Sequence, residues 1–401
     1  MIPVAEARAR ILAQMPQMPA EWISIAEADG RVLAEPAIAQ RTQPPADLSA
    51  MDGYAVLGAD VISAGASLRC IGESAAGHAF EGEVKPGECV RIFTGAPLPP
   101  GTDTILIQED TNVSGTTVVS TEALKTGTYV RRAGLDFRTG ETGLLPGRDI
   151  GPRDLGLLAA MNVPWVGVRR RPRIALLSTG DELVRPGEAL GPNQIVSSNA
   201  ISLAALVRRA GAEPVDIGIA EDRPDALAEA AARAMGCDML VTLGGASVGD
   251  HDLVQDVLGE KGLALDFWRI AMRPGKPLMF GQFGEVRLLG LPGNPVSAVV
   301  CGLLFLRPAI RRMLGAEDVE PEVRTATLGR DLAENDRRED YLRSELHLDT
   351  DGHATVTPFA RQDSSMLHVL SRAGALAIRA PHAKAQKAGS PIPYIPLTGM
   401  I

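Results

Sequence analysis

Cysteine is scarce in this 401-residue chain. Its four cysteines, Cys70, Cys89, Cys237 and Cys301, lie far apart and form neither a CxxC pair nor a Cys/His cluster at metal-ligand spacing. Buried free thiols are the expected state. Long apolar runs are missing too: no stretch reaches the about 18 to 20 apolar residues a membrane helix needs. The opening MIPVAEARARILAQM sets charges among its apolar residues, unlike the core of a signal peptide. Positive charge is not in excess either. A net charge of −9 argues against a polyanion-binding surface, although local basic loops can still hold one small anion. Repeats at solenoid spacing and low-complexity tracts are also absent. The expectation is a cytoplasmic protein with no nucleic-acid and no membrane partner.

What is present is an ordinary globular composition, 45% hydrophobic and 22% charged, on a length that predicts about two to four domains. The texture of the chain changes three times. Val4, Ala7, Ile11, Leu12 and Met15 recur at helical spacing, and a second helix is expected around Ile25 to Leu33. Short β-branched runs such as Thr104 to Ile107 and Thr117 to Val119, separated by KPG, PLPPG and LPG turns, then mark a β-rich domain. From Arg171 strand-like runs alternate with amphipathic helices. Strands are expected at 174–177, 215–219, 239–243, 278–280 and 286–291. Helices are expected from Ser198 or Asn199 through Arg209, from an Asp222 cap through Met235, and from Val296 to Leu314 opened by Pro295. The last stretch again holds short runs, Ala354 to Thr357 and Leu376 to Ile378, and reads as a β-barrel-like domain. The fold class is therefore an α/β doubly wound domain combined with β-rich domains in a multidomain, elongated chain. The expected division is 1–40 plus 147–170 as an N-terminal helical and linking domain, 41–146 as a β-rich insertion, 171–318 as the α/β domain and 319–401 as the barrel.

In an open α/β sheet, ligands sit at the carboxyl ends of the strands. The segments that follow the expected strands are STGDEL (Ser178 to Leu183), GGASVGDHD (Gly244 to Asp252) and the turn in LPGNPVS (Leu291 to Ser297). Gly244, Gly245 and Gly249 allow backbone amides to approach an anion, and the turn of Pro292, Gly293 and Asn294 aims a helix N-terminus at the same edge, which favours phosphate; Ser178, Thr179, Gly180 and Ser247 lie in the same segments. Glycines of this kind also serve as plain turn formers. The same edge gathers Asp181, Glu182, Asp222, Asp250 and Asp252. Carboxylates beside a phosphate repel it unless a cation intervenes, and Mg²⁺ accepts one or two carboxylates together with phosphates and waters. Asp222 reads equally as a helix cap and as a metal ligand. Arg273 and Lys276, in a loop stiffened by Pro274 and Pro277, can hold an oxyanion, and His251 reads as a hydrogen-bonding residue. The β-rich region offers Ser49, Asp52, Thr94, Arg131, Arg132 and Asp136 in loops that can face a partner domain.

Taken in order, SAMDGYA, TGAP, STGDEL, the GG-x-S-x-G-D loop, PGKP and GLPGNPVS resemble the MoeA family of molybdopterin molybdenumtransferases, which includes the E domain of gephyrin. The resemblance spans nearly the whole chain and continues more loosely at RREDYLR and QDSSML. It implies hydrolysis of adenylylated molybdopterin with insertion of molybdate and release of AMP. The α/β domain would bind the nucleotide-linked pterin with Mg²⁺, in a cleft completed by a second subunit of a homodimer. Transient contact with other enzymes of molybdenum cofactor assembly is implied as well. The resemblance carries over Asp52, Thr94, Asp136, Glu182, Asp222 and Asp252 as catalytic residues, with Asp181, Glu182, Asp222 and Asp252 around the metal. Arg269, Arg273, Lys276, Arg338 and Ser364 become anion holders, and Ser297 joins the phosphate turn.

Departures from the family pattern are Ala46 and Leu48 in PPADLSAMDGYA, Ala246 in the glycine loop, Leu135 before Asp136, and arginine in place of lysine at 269 and 273. An arginine keeps the charge but presents a planar fork of donors. Two other readings compete with the transferase. One is adenylyl transfer to molybdopterin by a related α/β domain, whose GGTG-type loop is GGAS here. The other is a gephyrin-like scaffold for partner peptides, which has no need of clustered carboxylates beside glycine turns.

Overall fold

A computed structural model describes residues 1–244, 259 and 263–399 of the chain. The N-terminal helix spans Val4–Ala13 and buries Val4, Ala7 and Ile11, packing them into the same core as Ile310 and Met313 near the end of the α/β region. The second helix expected around Ile25 to Leu33 is not formed. A 3₁₀ turn, Ile25–Glu27, is capped by Ser24, whose hydroxyl accepts from the Ala26 N–H at 3.3 Å. Gly30 then takes φ +68°, a left-handed conformation that ends helical propagation. Val32 and Leu33 form β-bridges to Asp149 and Val168 instead. Strand Ala20–Ser24 pairs antiparallel with Trp165–Arg169, so chain on either side of the β-rich segment meets in one small sheet.

The β-rich segment forms a six-stranded sheet around Gly53–Val56, which is flanked by Glu88–Ile92 and Thr104–Ile107. Its core holds Tyr54, Val56, Leu68, Cys89, Leu106 and Val118. Burial of the thiols is uneven: Cys89, Cys237 and Cys301 are buried and Cys70 is half-buried.

In the α/β region, strands β1 (Arg173–Thr179), β2 (Glu213–Ala220), β3 (Met239–Leu243), β4 (Leu263–Arg269), β5 (Pro277–Phe283) and β6 (Val286–Leu291) make one sheet in the order β2-β1-β3-β6-β5-β4. The pairs β2–β1, β1–β3 and β3–β6 are parallel, whereas β5 and β4 add antiparallel at the edge. Side chains alternate across β1. Ile174 and Leu176 join a core with Leu203, Leu206 and Val207 of helix α1 (Asn199–Arg209), and Ala175 and Leu177 join Leu227, Ala230 and Ala231 of helix α2 (Pro224–Ala232). A strand covered on both faces is a continuous apolar run in sequence, as IALL is. The helical stretch after Pro295 runs to Met313 through a π turn at Gly302–Leu306. A Cβ at Gly302 would lie 2.6 Å from Leu203 Cδ2, so the missing side chain lets α1 approach.

The last region closes on itself. Strands Glu339–Leu348, Ala354–Pro358, Arg324–Leu328, Pro391–Pro396 and Ala375–Arg379 pair in that order, and the last pairs back with the first. Met272–Arg273 of the α/β region adds in parallel to Glu339–Asp340. Among the described residues no helix is long and apolar enough to cross a membrane.

Candidate active-site cleft

The carboxyl ends of β1, β3 and β6 open into one cleft of about 870 Å³. Of the expected residues, Ser178, Thr179, Gly180, Glu182, Asp222, Gly244, Pro292, Gly293 and Asn294 line it. Glycine is required at its floor. Gly244 takes φ +107°, and a Cβ there would sit 2.8 Å from the Thr179 carbonyl oxygen. Gly180 takes φ +144°, and a Cβ there would strike the Glu182 carboxylate. The Asn199 amide donates to the Gly293 carbonyl at 2.7 Å and so fixes the turn. The buried hydroxyls of Thr179 and Thr242 have no hydrogen-bond partner among the described residues. Ser297 is buried in the helical turn behind the cleft.

The acidic wall belongs to the loops after β1 and β2. The Asp222 N–H donates to Asp181 Oδ1 at 2.9 Å. Burial, reinforced by the charges of Asp181 and Glu182, pushes the Asp222 carboxyl above its ordinary value. Helix α2 starts at Pro224 after Arg223, not at an Asp222 cap, and it ends at Ala232 short of Met235. The Asp222 side chain is therefore free of capping and lines the cleft. The donor set of Glu182, Asp222 and Asp181 is all oxygen and its members repel one another, which suits a small hard cation. Among the described residues no group of three or more His, Cys, Asp and Glu could hold a metal ion by itself. A fit here requires phosphate oxygens and waters as further ligands, as Mg²⁺ commonly has. The expected residues Gly245, Ser247, Gly249, Asp250, His251 and Asp252 lie outside the described residues.

The expected anion holders are spread along the junction with the barrel. Arg273 donates to Asp340 and, at 3.3 Å, to Asn335 Oδ1, and it pairs with Asp336 at 3.4 Å. Arg338 pairs with Asp336 at 2.9 Å. These two arginines hold the Asp336 carboxyl at about 2, Arg338 contributing more. Both guanidinium groups are thus engaged with carboxylates in this chain. The Arg269 guanidinium lies over the Trp268 ring, 4.4 Å from its centroid. Lys276 is half-buried, next to Pro277 on the cleft wall. The Ser364 carbonyl accepts from the Val296 N–H at 3.0 Å, and it is the adjacent Ser365 that lines the cleft.

Asp52, Thr94 and Asp136 do not line the cleft of a single chain. Asp52 and Thr94 are brought together: Asp52 Oδ1 accepts from both the Thr94 N–H and hydroxyl, and these bonds lower the Asp52 carboxyl below its ordinary value. Asp136 is exposed, its N–H bonded to the Gln43 carbonyl at 3.0 Å.

Residues 2–162 match the MoeA N-terminal region (domain I and II), 175–312 the probable molybdopterin binding domain, and 325–397 the MoeA C-terminal region (domain IV). The chain belongs to the MoeA family. A molybdopterin molybdenumtransferase of Nostoc sp. is 40% identical over 342 residues, covering 83% of this chain and 78% of that one. Another from Haemophilus influenzae is 34% identical over 91% of each chain. A crystal structure of the molybdopterin biosynthesis MoeA protein from Pyrococcus horikoshii superimposes with a TM-score of 0.86 at 27% identity over 99% of both chains. The multidomain MoeA architecture accounts for the sheets described above. Within it, the cleft lies in the central matched region except for Ser365, which the C-terminal region supplies.

Sequence reasoning missed part of this MoeA-family cleft: Ile195, Val196 and Ser197, together with Ser198 and Asn199, which it read only as helix caps. The chain leaves β1, loops out, and returns so that Ile195–Val196 pair in parallel with Leu183–Val184. The polar run SSN, which leads into α1 and supplies its first residue, was the available signal.

Proposed function

We propose that this chain is a molybdopterin molybdenumtransferase that inserts molybdate into adenylylated molybdopterin and releases AMP. The observation that carries the reading is the cleft itself, in which a glycine floor and the carboxylates Glu182 and Asp222 share the strand ends. The Gly293 and Asn294 N–H groups of the turn suit the pyrophosphate, since Pro292 and Pro295 carry no N–H and the Val296 N–H is donated to the Ser364 carbonyl. Mg²⁺ is the proposed cofactor, with Glu182 and Asp222 as its protein ligands, Asp181 behind them, and Asp252 as a further ligand. When bound, it supplies a charge that offsets the negative charge developing as the pyrophosphate bond breaks. The protein's own work is to position the phosphates and to hold the two carboxylates beside them. Lys276 with Arg269 is assigned to molybdate, Arg273 being paired with Asp340 and Asp336.

The same reading includes a homodimer, in which Asp52, Thr94 and Asp136 of one protomer approach the cleft of its partner. Their absence from the single-chain cleft supports this assignment. Cytoplasmic location, the elongated four-part division at 1–40 plus 147–170, 41–146, 171–318 and 319–401, and a doubly wound character for the α/β part are proposed with it. Helices packed on both faces of β1 support that last point. The test is direct. Purified protein given adenylylated molybdopterin, Mg²⁺ and molybdate should release AMP and yield molybdenum cofactor; no AMP release sinks the reading.

A further inference from the structure

Arg273 and Arg338 converge on one oxygen. Arg273 Nη1 donates to Asp336 Oδ2 at 3.4 Å, and Arg338 Nη2 donates to the same atom at 2.9 Å. Guanidinium groups that share an oxygen in this way are how a protein seats an oxyanion, and here the oxygen belongs to the chain itself. The carboxylates around the pair are not equivalent. The Asp340 side chain is only 4% exposed and lies on the barrel strand bridged to Met272–Arg273, so it stays beside Arg273. The Asp336 side chain is 43% exposed. Its backbone is fixed, the N–H donating to Asn335 Oδ1 at 2.9 Å and the carbonyl accepting from the His382 N–H at 2.7 Å. A change of side-chain rotamer alone therefore carries the carboxylate into solvent. Asn335 supports the arginines independently: its Oδ1 accepts from Arg273 Nη2 at 3.3 Å, and its amide donates to the Arg338 carbonyl at 2.9 Å. The pair keeps these supports when Asp336 turns away.

Resting on the function proposed above, we infer that Asp336 is a resident stand-in for molybdate: it fills the seat between Arg273 and Arg338, yields it to the incoming oxyanion and so sets the affinity for that substrate. The charges carry the argument. With Asp336 in place, the cations Arg273 and Arg338 face the anions Asp336 and Asp340, and the group is neutral. Once Asp336 turns out, a positive charge is uncovered in the loop that continues through Lys276 to Pro277 on the cleft wall. Leaving costs the carboxylate its bonds to both guanidinium groups and to the Arg338 N–H at 2.8 Å. Molybdate, a tetrahedral dianion, brings more charge and more oxygens to the same donors and offsets that loss. A monoanion such as chloride offsets less. Until the substrate arrives, the carboxylate keeps the two cations ordered, so little side-chain freedom is left to lose on binding.

The test is calorimetric titration of molybdate into the full-length protein. Asp336→Asn keeps an oxygen for the Arg338 N–H but removes the charge, and the molybdate dissociation constant should fall about tenfold, the scale of one unit charge at a part-exposed site. Asp336→Ser should behave alike, while Asp336→Glu, which keeps the charge, should bind near wild type. Both uncharged variants should melt only slightly below wild type, through loss of bonds that favour the ionised folded form. Asp349→Asn, which removes a carboxylate elsewhere on the barrel, should leave the affinity as it was. Adding Arg338→Ala to Asp336→Asn should abolish the gain, since the two residues act on one seat. Unchanged or weaker molybdate binding in both uncharged variants, an equal gain from Asp349→Asn, or a gain that survives Arg338→Ala overturns the inference, as does the absence of molybdate binding in every variant. If Asp336→Asn tightens molybdate yet the protein releases no AMP from the full substrate, the seat stands and the proposed reaction falls. If wild type turns over and Asp336→Asn binds molybdate no tighter, the reaction stands and the inference falls.

Discussion

Asp52 and Thr94 are locked by two hydrogen bonds to one oxygen, the Thr94 N–H at 2.7 Å and its hydroxyl at 2.8 Å from Asp52 Oδ1. The pair joins the loops SAMDGYA and TGAP, and nothing in its own domain uses the remaining Asp52 oxygen for a hydrogen bond among the described residues. Asp52→Ala should lower the melting temperature at neutral pH only slightly, through loss of the two bonds that favour the ionised folded form, while AMP release falls about hundredfold, the scale of loss from misplacing a contact group. A large drop in melting temperature would instead make the pair structural.

Asp222 gives a stability prediction with a definite sign. Its folded carboxyl titrates above the ordinary value because it is buried and faces Asp181 and Glu182. For an acid raised in the fold, the ionised form is disfavoured relative to the unfolded chain. Stability is thus greatest below the unfolded carboxylate range and is lost as pH rises through the folded value. Without divalent ions, Asp222→Asn should melt at a higher temperature than wild type at pH 7.5, and the gap should close in acid. Added Mg²⁺ should raise the melting temperature of wild type and not of the variant. An equal response of both to Mg²⁺ would falsify the metal assignment of this residue.

Gly244→Ala tests the floor. At φ +107° with a carbonyl 2.8 Å from the added carbon, the substitution strains the backbone by about 1 to 3 kcal/mol and pushes into the cleft. AMP binding measured by calorimetry should disappear, whereas Gly156→Ala, at an open position of the helix Pro152–Ala160, should bind AMP as wild type does.

Arg311 is a buried cation between two regions. It is 5% exposed and bonds Asp149 of the N-terminal half and Asp318 at the edge of the barrel. Arg311→Ala removes the bridge while the Asp149 and Asp318 carboxylates, 47% and 54% exposed, stay solvated, and the cost should be about 1 kcal/mol, read as a fall in the urea midpoint of the cooperative transition. A midpoint within error of wild type counts against the bridge.

Much of this architecture is legible in the sequence because burial on both faces writes itself as apolar runs. Strands at 239–243 and 286–291 have the expected limits, three others differ at their ends, and the edge strand Leu263–Arg269 was not expected. The expected helix over Ile25 to Leu33 fails because Gly30 turns the chain and tertiary pairing claims Val32 and Leu33. At the cleft, the glycine loops and Asp222 were readable from residue type and position. Ile195 and Val196 were not, because an apolar pair in a loop has no periodicity to reveal that the chain doubles back. Arg273 illustrates the opposite limit: a cation beside PGKP invites an anion, and only the fold brings Asp340, 67 residues away, against it.

The short parallel bridge from Met272–Arg273 to Glu339–Asp340 makes the barrel's longest strand a neighbour of the α/β region as well. Cutting the chain near residue 319 would therefore bare backbone donors and acceptors on both fragments, a template for mispairing between molecules. Isolated C-terminal fragments should be prone to self-association, and chimaeras that exchange this region are better joined with residues 272 and 273 taken along.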